Sequence, residues 1–213
     1  MGEPLAGGGD LGRSEAVSVR SPIPLLLAST SPQRRAILAQ LGIPFDVAAP
    51  RYEEKDASGA DPVDLVRAHA LGKARSLAAD AGGRPILGVD TTVVLGNELL
   101  GKAVGESEAK AMLARLGGAT HEVVSGLCLL GDGWEELAHE VTRVAFRALS
   151  EREIAVYIAT GEWRERAGAY AIQGLGARLV ERMEGDYLNV VGLPAAVLVN
   201  LLAKRYPGAY GLG

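Results

Sequence analysis

Two neighbouring arginines stand at a position in the sequence where cations are unusual. Arg34 and Arg35 follow Ser31 and Pro32, which come directly after the apolar run 25–28 and a short polar turn. A serine followed by a proline is typical of a helix start, and that positive end of the helix dipole usually carries acidic residues. A strand, a small-residue turn and a basic helix start predict a cradle for a phosphate group. The alternative is that both arginines point into solvent.

One carboxylate interrupts a run of residues that is otherwise almost entirely apolar. Asp90 lies in the middle of residues 86–95, which are rich in valine and read as a strand. Aspartate is depleted in strands, and burying an unpaired carboxylate is unfavourable. Asp90 is therefore expected at a strand end, in an ion pair or at a functional site. The alternative is a structural aspartate that bonds to the neighbouring turn.

Further charged residues could complete a site for a metal ion and phosphates. Glu53 and Glu54 follow the second predicted strand, and Lys73 lies inside a predicted helix. Mg²⁺ prefers one or two carboxylates together with water and the phosphates of a substrate. Carboxylates, arginines and lysines brought together would form such a site, whereas the alternative for Glu53 and Glu54 is a solvated charge run.

The stretch from Gly96 to Lys102 has the glycine and lysine spacing of a phosphate-binding P-loop. We reject that interpretation because the next residue, Ala103, has no hydroxyl for Mg²⁺ and because the residues between the glycines predict a hairpin. Lys102 could still reach a phosphate from the end of that hairpin, and its alternative is a solvated lysine.

Strands and helices alternate along the chain and must position these residues. Periodicity and turn residues predict strands over 25–28, 45–49, 86–95, 98–100, 121–130, 137–147 and 177–183. Caps and periodicity predict helices over 32–41, 61–79, 107–116, 150–160 and 194–203, with Ser31, Asp61, Ser107 and Ser150 as N-caps. Several strands are joined by short hairpins, so a mixed sheet is expected rather than a fully parallel one.

The composition is ordinary for a globular protein and excludes several classes of partner. The 213 residues carry a formal net charge of −4, which argues against a general affinity for nucleic acid. The single cysteine, Cys128, lies in an apolar run and is expected to be a small core residue. No apolar run approaches the ~18 residues of a membrane span and no secretory signal opens the chain. We therefore expect no membrane partner and a cytoplasmic location.

Five blocks of the sequence, in their order and spacing, resemble the Maf family of nucleoside triphosphate pyrophosphatases. The blocks are residues 28–35 (ASTSPQRR), 88–91 (GVDT), 100–102 (LGK), 167–174 (AGAYAIQG) and 184–194 (EGDYLNVVGLP). The resemblance implies an α/β fold similar to inosine triphosphate pyrophosphatase, which is a two-lobed, curved mixed β-sheet flanked by helices with a central cleft. Residues 23–204 would form this domain. Composition predicts a disordered extension over residues 1–22 and a flexible tail over 205–213.

The resemblance also implies a reaction and the residues that perform it. A nucleoside triphosphate would be split between its α and β phosphates, with Mg²⁺ or Mn²⁺, as house-cleaning of the nucleotide pool. Asp90 matches the family's proton acceptor and Glu54 its acidic metal partner, although the sequence leaves open which carboxylate is the base and which holds the metal. The matching substrate-binding positions are Ser29, Ser31, Arg34, Lys73 and Lys102. A homodimer is expected from the resemblance alone.

Three positions bear on which nucleobase the protein would recognise. Thr91 and Gln173 match the residues that select the base in the family branch acting on dTTP and UTP, and the branch acting on 7-methyl-GTP differs there. Gln33 departs from both branches, because the first usually has an arginine at this position and the second an aromatic residue. The resemblance therefore predicts dTTP and UTP as substrates and leaves the effect of Gln33 open.

Two other functions are compatible with the sequence. One is a nucleotide-binding regulator of cell division that acts through a protein partner and needs the phosphate cradle but no working base. The other is a nucleotidyl or phosphoryl transferase whose acceptor is not water. The presence of both Asp90 and Glu54 favours catalysis.

Overall fold

A sheet of seven strands forms the centre of the part of the chain that the computed structural model describes, residues 22–55 and 59–212. The strands are β1 (Leu25–Ala28), β2 (Phe45–Ala48), β3 (Ile86–Leu95), β4 (Glu98–Leu100), β5 (Thr120–Gly131), β6 (Trp134–Phe146) and β7 (Val180–Glu184). The helices are α1 (Pro32–Gln40), α2 (Pro62–Arg75), α3 (Glu106–Leu116), α4 (Glu151–Thr160), α5 (Tyr187–Val191) and α6 (Ala195–Arg205), with short 3₁₀ helices at Ala78–Asp80 and Gly174–Leu179. The predicted N-terminal extension lies outside the described residues except for Pro22.

The strand order makes the sheet mixed. β1 pairs in parallel with β2 and β3, whereas the pairs β3–β4, β3–β5, β5–β6 and β6–β7 are antiparallel. The order is therefore β2-β1-β3-β5-β6-β7, with β4 beside β3. This confirms the predicted mixed α/β fold. Within residues 22–55 and 59–212, no helix is both long enough and apolar enough to cross a membrane.

Helix caps agree with the sequence at three sites, Ser31, Asp61 and Ser150, and disagree at a fourth. The Ser31 hydroxyl accepts from the backbone N–H of Arg34, and Ser150 forms a reciprocal capping box at the start of α4. The predicted cap at Ser107 is wrong, because α3 already begins at Glu106. The Glu108 carboxylate accepts from the backbone N–H of Val104 at 2.7 Å, so a glutamate satisfies a donor at this helix start instead of the serine.

The segment before the last helix also differs from the prediction. The strand expected from Ala177 begins only at Val180, because residues 174–179 form a 3₁₀ helix. A Cβ atom at Gly176 would lie 1.9 Å from the carbonyl oxygen of Ala171, so the chain folds closely on itself there. The five-residue helix α5 was not predicted, because one turn is too short to show periodicity. The Asp186 side chain caps it by accepting from a backbone N–H.

Side-chain alternation along β3 sends its two faces to different helices. Leu87 and Val89 pack in one apolar cluster with α1 and α6, whereas Ile86 packs on the other face with α2. Farther along the strand, Val93 packs with α3 and α4. Asp90 therefore lies in the middle of β3, between these apolar clusters.

Two glycines let α2 lie directly against the sheet. A Cβ atom at Gly88 would lie 2.1 Å from the carbonyl oxygen of Ala70, and one at Gly126 would lie 2.2 Å from that of Val66. Gly126 stands directly opposite Asp90 in the register of β3 and β5. Because α2 approaches so closely, its side chains reach Asp90.

Candidate active site

A cleft of about 410 Å³ is lined by two groups of charged and polar side chains. One group stands on β3 and on the helices packed against it, and the other stands on the segments that follow β4 and α4. We call the first group the strand wall, which consists of Arg34, Lys73, Asp90 and Thr91. We call the second group the loop wall, which consists of Lys102, Glu165 and Arg166.

Lys73 joins two carboxylates at the strand wall. Its Nζ donates to Asp90 Oδ1 at 2.5 Å and lies 2.6 Å from Glu54 Oε1. The side chains of Lys73 and Asp90 are 9% and 13% exposed, whereas that of Glu54 is 52% exposed. The carboxylate that interrupts the apolar run is thus an ion-paired residue at a cleft, which is one of the explanations that the sequence allows.

Arg34 is turned into the cleft, whereas Arg35 is exposed. The Arg34 Nε donates to the carbonyl oxygen of Gly192 at 2.9 Å, and its Nη1 donates to Ser29 Oγ at 3.1 Å. Its Nη2 donates to Thr91 Oγ1 at 3.3 Å. These bonds hold the guanidinium between the start of α1, the end of β1, β3 and the turn before α6.

The charge of Arg34 is partly withdrawn from water. Burial lowers the pKa of its guanidinium from the usual value, while the charges of Asp90 and Glu54 act in the opposite direction. An arginine remains protonated in proteins, and its guanidinium has five N–H donors. Since Arg34 makes three such bonds to the part of the chain that the structure describes, one N–H on Nη1 and one on Nη2 are left for an anion.

Hydroxyl groups at the strand wall and in the turn before α1 are hydrogen-bonded to neighbouring groups. Thr91 Oγ1 lies 2.8 Å from Ser125 Oγ, its neighbour across the β3–β5 ladder. Ser29 Oγ accepts from the backbone N–H of Ser31 at 3.2 Å, and Ser31 Oγ donates to Gln33 Oε1 at 3.0 Å. These bonds order the turn and orient the Gln33 amide.

Lys102 and Glu165 in the loop wall are far more open to water, whereas Arg166 is half-buried. Lys102 Nζ donates to Glu165 Oε2 at 2.9 Å, and their side chains are 64% and 84% exposed. Lys102 also pairs with Ala167 in an isolated antiparallel bridge, which ties the segment after β4 to the segment after α4. The helix α3 begins only at Glu106, so Lys102 does not open a helix and the rejection of a P-loop is confirmed.

Gln173 lies in a second pocket, of about 310 Å³, beside the cleft. We call it the amide pocket because three glutamines line it together with mostly apolar side chains. Its lining residues are Gln33, Ala36, Ile37, Gln40, Gln173, Tyr187, Leu188 and Val191. Gln33 and Val191 line the cleft as well, whereas Thr91 lines only the cleft of these two pockets.

The structure brings most of the sequence-predicted residues together. The cleft is lined by Ser31, Gln33, Arg34, Glu54, Lys73, Asp90, Thr91 and Lys102, while Ser29 reaches it through its bond to Arg34. The sequence did not single out Ser125, Glu165 or Arg166. Ser125 lies in an apolar strand and gives no signal. Glu165 and Arg166 directly precede the block 167–174, and that position was the only clue to them.

The carboxylates of the cleft fit one type of metal ion. In residues 22–55 and 59–212 there is no group of three or more His, Cys, Asp or Glu side chains that could hold a metal ion. Glu54 and Asp90 nevertheless converge on one nitrogen, that of Lys73. Two such carboxylates suit a cation that takes its remaining ligands from water and from substrate phosphates, as Mg²⁺ does.

The cleft thus has the charges expected of an α/β protein that binds a polyanion, and comparison with known proteins agrees. Residues 24–205 match the family described as Maf-like protein. The dTTP/UTP pyrophosphatase of Nitratidesulfovibrio vulgaris is 47% identical over 184 residues, covering 85% of this chain and 88% of the relative. Those of Symbiobacterium thermophilum and Deinococcus radiodurans are 45% and 40% identical, covering 86% and 88% of this chain and 95% and 96% of the relatives. The chain belongs to the Maf family and is a hydrolase of the pyrophosphatase class.

Proposed function

We propose that this protein hydrolyses nucleoside triphosphates, with dTTP and UTP as preferred substrates, to the monophosphate and pyrophosphate. The observation that carries the proposal is the strand wall, where an ion-paired carboxylate lies beside two cations with unused N–H donors. Relatives at 40% to 47% identity that are dTTP/UTP pyrophosphatases support the same reaction.

The triphosphate would bind along the strand wall. Arg34 offers two free N–H groups, and Lys73 retains one of its three after its contacts with Asp90 and Glu54. The start of α1 adds the positive end of the helix dipole. These donors are held in place before the substrate arrives, so they can stabilise charge that develops on the phosphates.

Asp90 is the candidate general base. Its Oδ1 is held by Lys73, which leaves Oδ2 to accept a proton from the attacking water. The water oxygen bonds to the α phosphorus, the bond from that phosphorus to the bridging oxygen breaks, and its electron pair leaves on pyrophosphate. Glu54 is the less suitable base because it is half-exposed and stands on a loop, whereas a strand holds Asp90.

A divalent cation, Mg²⁺ or Mn²⁺, would be held by Glu54 and Asp90. When bound, it would neutralise charge on the phosphate oxygens. The two carboxylates, together with phosphate oxygens of the substrate, would supply the oxygen ligands that such a cation prefers.

The amide pocket would bind the nucleobase of the substrate. Its apolar walls suit a flat ring, and its amides supply donors and acceptors for the ring edge. Because the Ser31 hydroxyl donates to Gln33 Oε1, the Gln33 NH₂ group remains to donate. Uracil and thymine carry a carbonyl oxygen at the position where cytosine carries an amino group, so a fixed donor favours UTP and dTTP over CTP.

Pyrophosphate release from a panel of nucleoside triphosphates tests this function. The panel contains dTTP, UTP, CTP, 7-methyl-GTP, ITP and ATP, each with Mg²⁺, with Mn²⁺ and with EDTA. We expect kcat/KM for dTTP and UTP to exceed that for the others by at least about tenfold, and activity to be lost in EDTA.

The other outcomes are equally informative. A preference for 7-methyl-GTP would support the proposed reaction but would overturn the assignment of the amide pocket to uracil and thymine. Binding of dTTP without turnover under all metal conditions would overturn the enzymatic function and favour the nucleotide-binding regulator.

A further inference from the structure

One cationic side chain of the cleft has an N–H group without an acceptor among the residues that the structure describes. The Nε–H of Arg166 is buried and has no hydrogen-bond acceptor within residues 22–55 and 59–212. Burial lowers the pKa of the guanidinium from its usual value, while Tyr157 and Glu162 act in the opposite direction. A buried charged donor without an acceptor is unfavourable, and an ion or a water molecule can supply the acceptor.

The two acidic residues nearest to Arg166 in the sequence are committed elsewhere. Glu165 accepts from Lys102 at 2.9 Å. The two carboxylate oxygens of Glu162 each accept from a backbone N–H, those of Leu175 and Gly176, both at 3.1 Å. Arg166 lines the cleft, so an anion bound there could supply the acceptor that its Nε–H lacks.

The position of Arg166 indicates which part of the substrate it meets. The Gly168 backbone N–H donates to the carbonyl oxygens of Leu100 and Gly101, both at 3.0 Å, and Ala167 pairs with Lys102. Arg166 and Lys102 are thus carried by two segments bonded to each other. The loop wall shares no residue with the amide pocket, where the base would lie.

We propose that Arg166 binds the two terminal phosphates of the nucleoside triphosphate, which leave together as pyrophosphate. The inference rests on the proposed function and adds a residue to it. When the bond between the α phosphorus and the bridging oxygen breaks, the electron pair and the new negative charge go to pyrophosphate. Arg166 would donate to the oxygens of that leaving group, and Glu165 would exchange its bond to Lys102 for water as Lys102 turns to the same phosphates.

The test compares the affinities for the two products. We would measure binding of pyrophosphate and of dTMP, by calorimetry, to the wild type and to Arg166→Gln. We expect the Kd for pyrophosphate to rise by at least about tenfold, because a charge-assisted bond is lost, and the Kd for dTMP to change by less than about threefold. Arg166→Lys should recover part of the affinity, since it restores the charge without the planar fork.

Arg164→Gln is the matched control. Arg164 stacks on Trp163 with its guanidinium carbon 4.9 Å from the ring centroid, and it is not part of the cleft lining. The control removes the same charge two residues away, and it should leave both Kd values unchanged. An unchanged Kd for pyrophosphate in Arg166→Gln, or an equal loss for both products, would overturn the proposal.

A labelling experiment on the wild type removes any dependence on how the variants fold. Pyrophosphate should protect Arg166 from phenylglyoxal, measured by peptide mass spectrometry, and dTMP should not. Equal labelling with and without pyrophosphate would count against the role of Arg166. Since none of these measurements needs turnover, a wild type that fails to hydrolyse dTTP would refute the proposed function separately.

Discussion

The strand wall and the loop wall present similar side chains in very different settings. Lys73 in the strand wall is 9% exposed and lies between Asp90 and Glu54, whereas Lys102 in the loop wall is 64% exposed and pairs with Glu165. An ion pair in water contributes about 0–1 kcal/mol. Breaking a buried pair is far more costly, because it leaves a charge without its partner.

This difference separates two tasks. The strand wall is held by packing of α2 on β3, so its charges stay in position when a substrate leaves. The loop wall can exchange Glu165 for a phosphate at little cost, so it suits a group that must be captured and then released. If the comparison is right, changes at the strand wall reduce kcat and changes at the loop wall mainly raise KM.

The largest effect is expected at Asp90. Asp90→Asn removes the proton acceptor and keeps the size of the side chain, so kcat for dTTP should fall by about 1,000-fold while the Kd for the nucleotide changes little. Stopped-flow or single-turnover kinetics with a separate binding titration would measure both. Asp132→Asn, an exposed carboxylate in the β5–β6 turn, is the control. Full turnover in Asp90→Asn would show that another group is the base.

The two lysines test the comparison directly. Lys73→Gln should lower kcat by about 100-fold, because a fixed cation next to the reacting phosphate is lost. Lys102→Gln should raise KM by about tenfold and change kcat by less than about threefold. Steady-state kinetics give kcat and KM of both variants relative to the wild type. Lys110→Gln, on the exposed face of α3, serves as the control. Equal losses of kcat in both variants would remove the distinction between the walls.

The packing beneath the strand wall can be disturbed without touching a charged residue. Gly88→Ala places a Cβ atom 2.1 Å from the carbonyl oxygen of Ala70 and must push α2 away from β3. We expect the free energy of unfolding in urea to fall by about 2 kcal/mol, and kcat to fall as Lys73 moves from Asp90. A Cβ atom at Gly101 meets no atom within 4 Å, so Gly101→Ala should leave the free energy of unfolding nearly unchanged. Equal stability of the two variants would contradict the close contact.

The smallest expected effect is a pH dependence of the stability, which comes from the buried side chain of His121. Burial lowers the pKa of His121 to about 4 from 6.5, and its Nε2 lies 2.8 Å from the hydroxyl of Tyr170, a residue of the cleft lining. The unfolded chain therefore binds a proton more readily than the folded chain, so stability is lost as the pH falls from about 6.5 towards 4. Between pH 8 and 5.5 the loss should be about 1.4 kcal/mol.

Urea unfolding at several pH values, with His121→Gln as the comparison, measures this loss of unfolding free energy. The wild type should lose more stability than His121→Gln over that range, and His139→Gln, on the exposed part of β6, should behave as the wild type does. Parallel pH dependence of the wild type and His121→Gln would show that His121 is not desolvated in the folded protein.

Much of the fold was predictable because its signals are local. Ser31 and Ser150 cap their helices by bonds to residues three positions away, and the hairpin at Gly96 follows from its turn residues. The sequence did not predict the helix α5 or the start of β7 at Val180. A single turn has no periodicity, and the approach of Gly176 to Ala171 is a contact that residue types do not reveal.

By itself, the sequence determined which residues could do chemistry: the arginines at the start of α1, the carboxylate in β3, and the lysines that accompany them. Only the tertiary structure decided which of them meet. Lys73 and Asp90 are 17 residues apart in the chain, and Arg34 and Thr91 are 57 apart. The tertiary structure also turned Arg34 inward and left the Arg166 Nε–H without an acceptor within residues 22–55 and 59–212. Helix propensity and capping act between residues a few positions apart, whereas these contacts depend on how closely whole helices pack on the sheet.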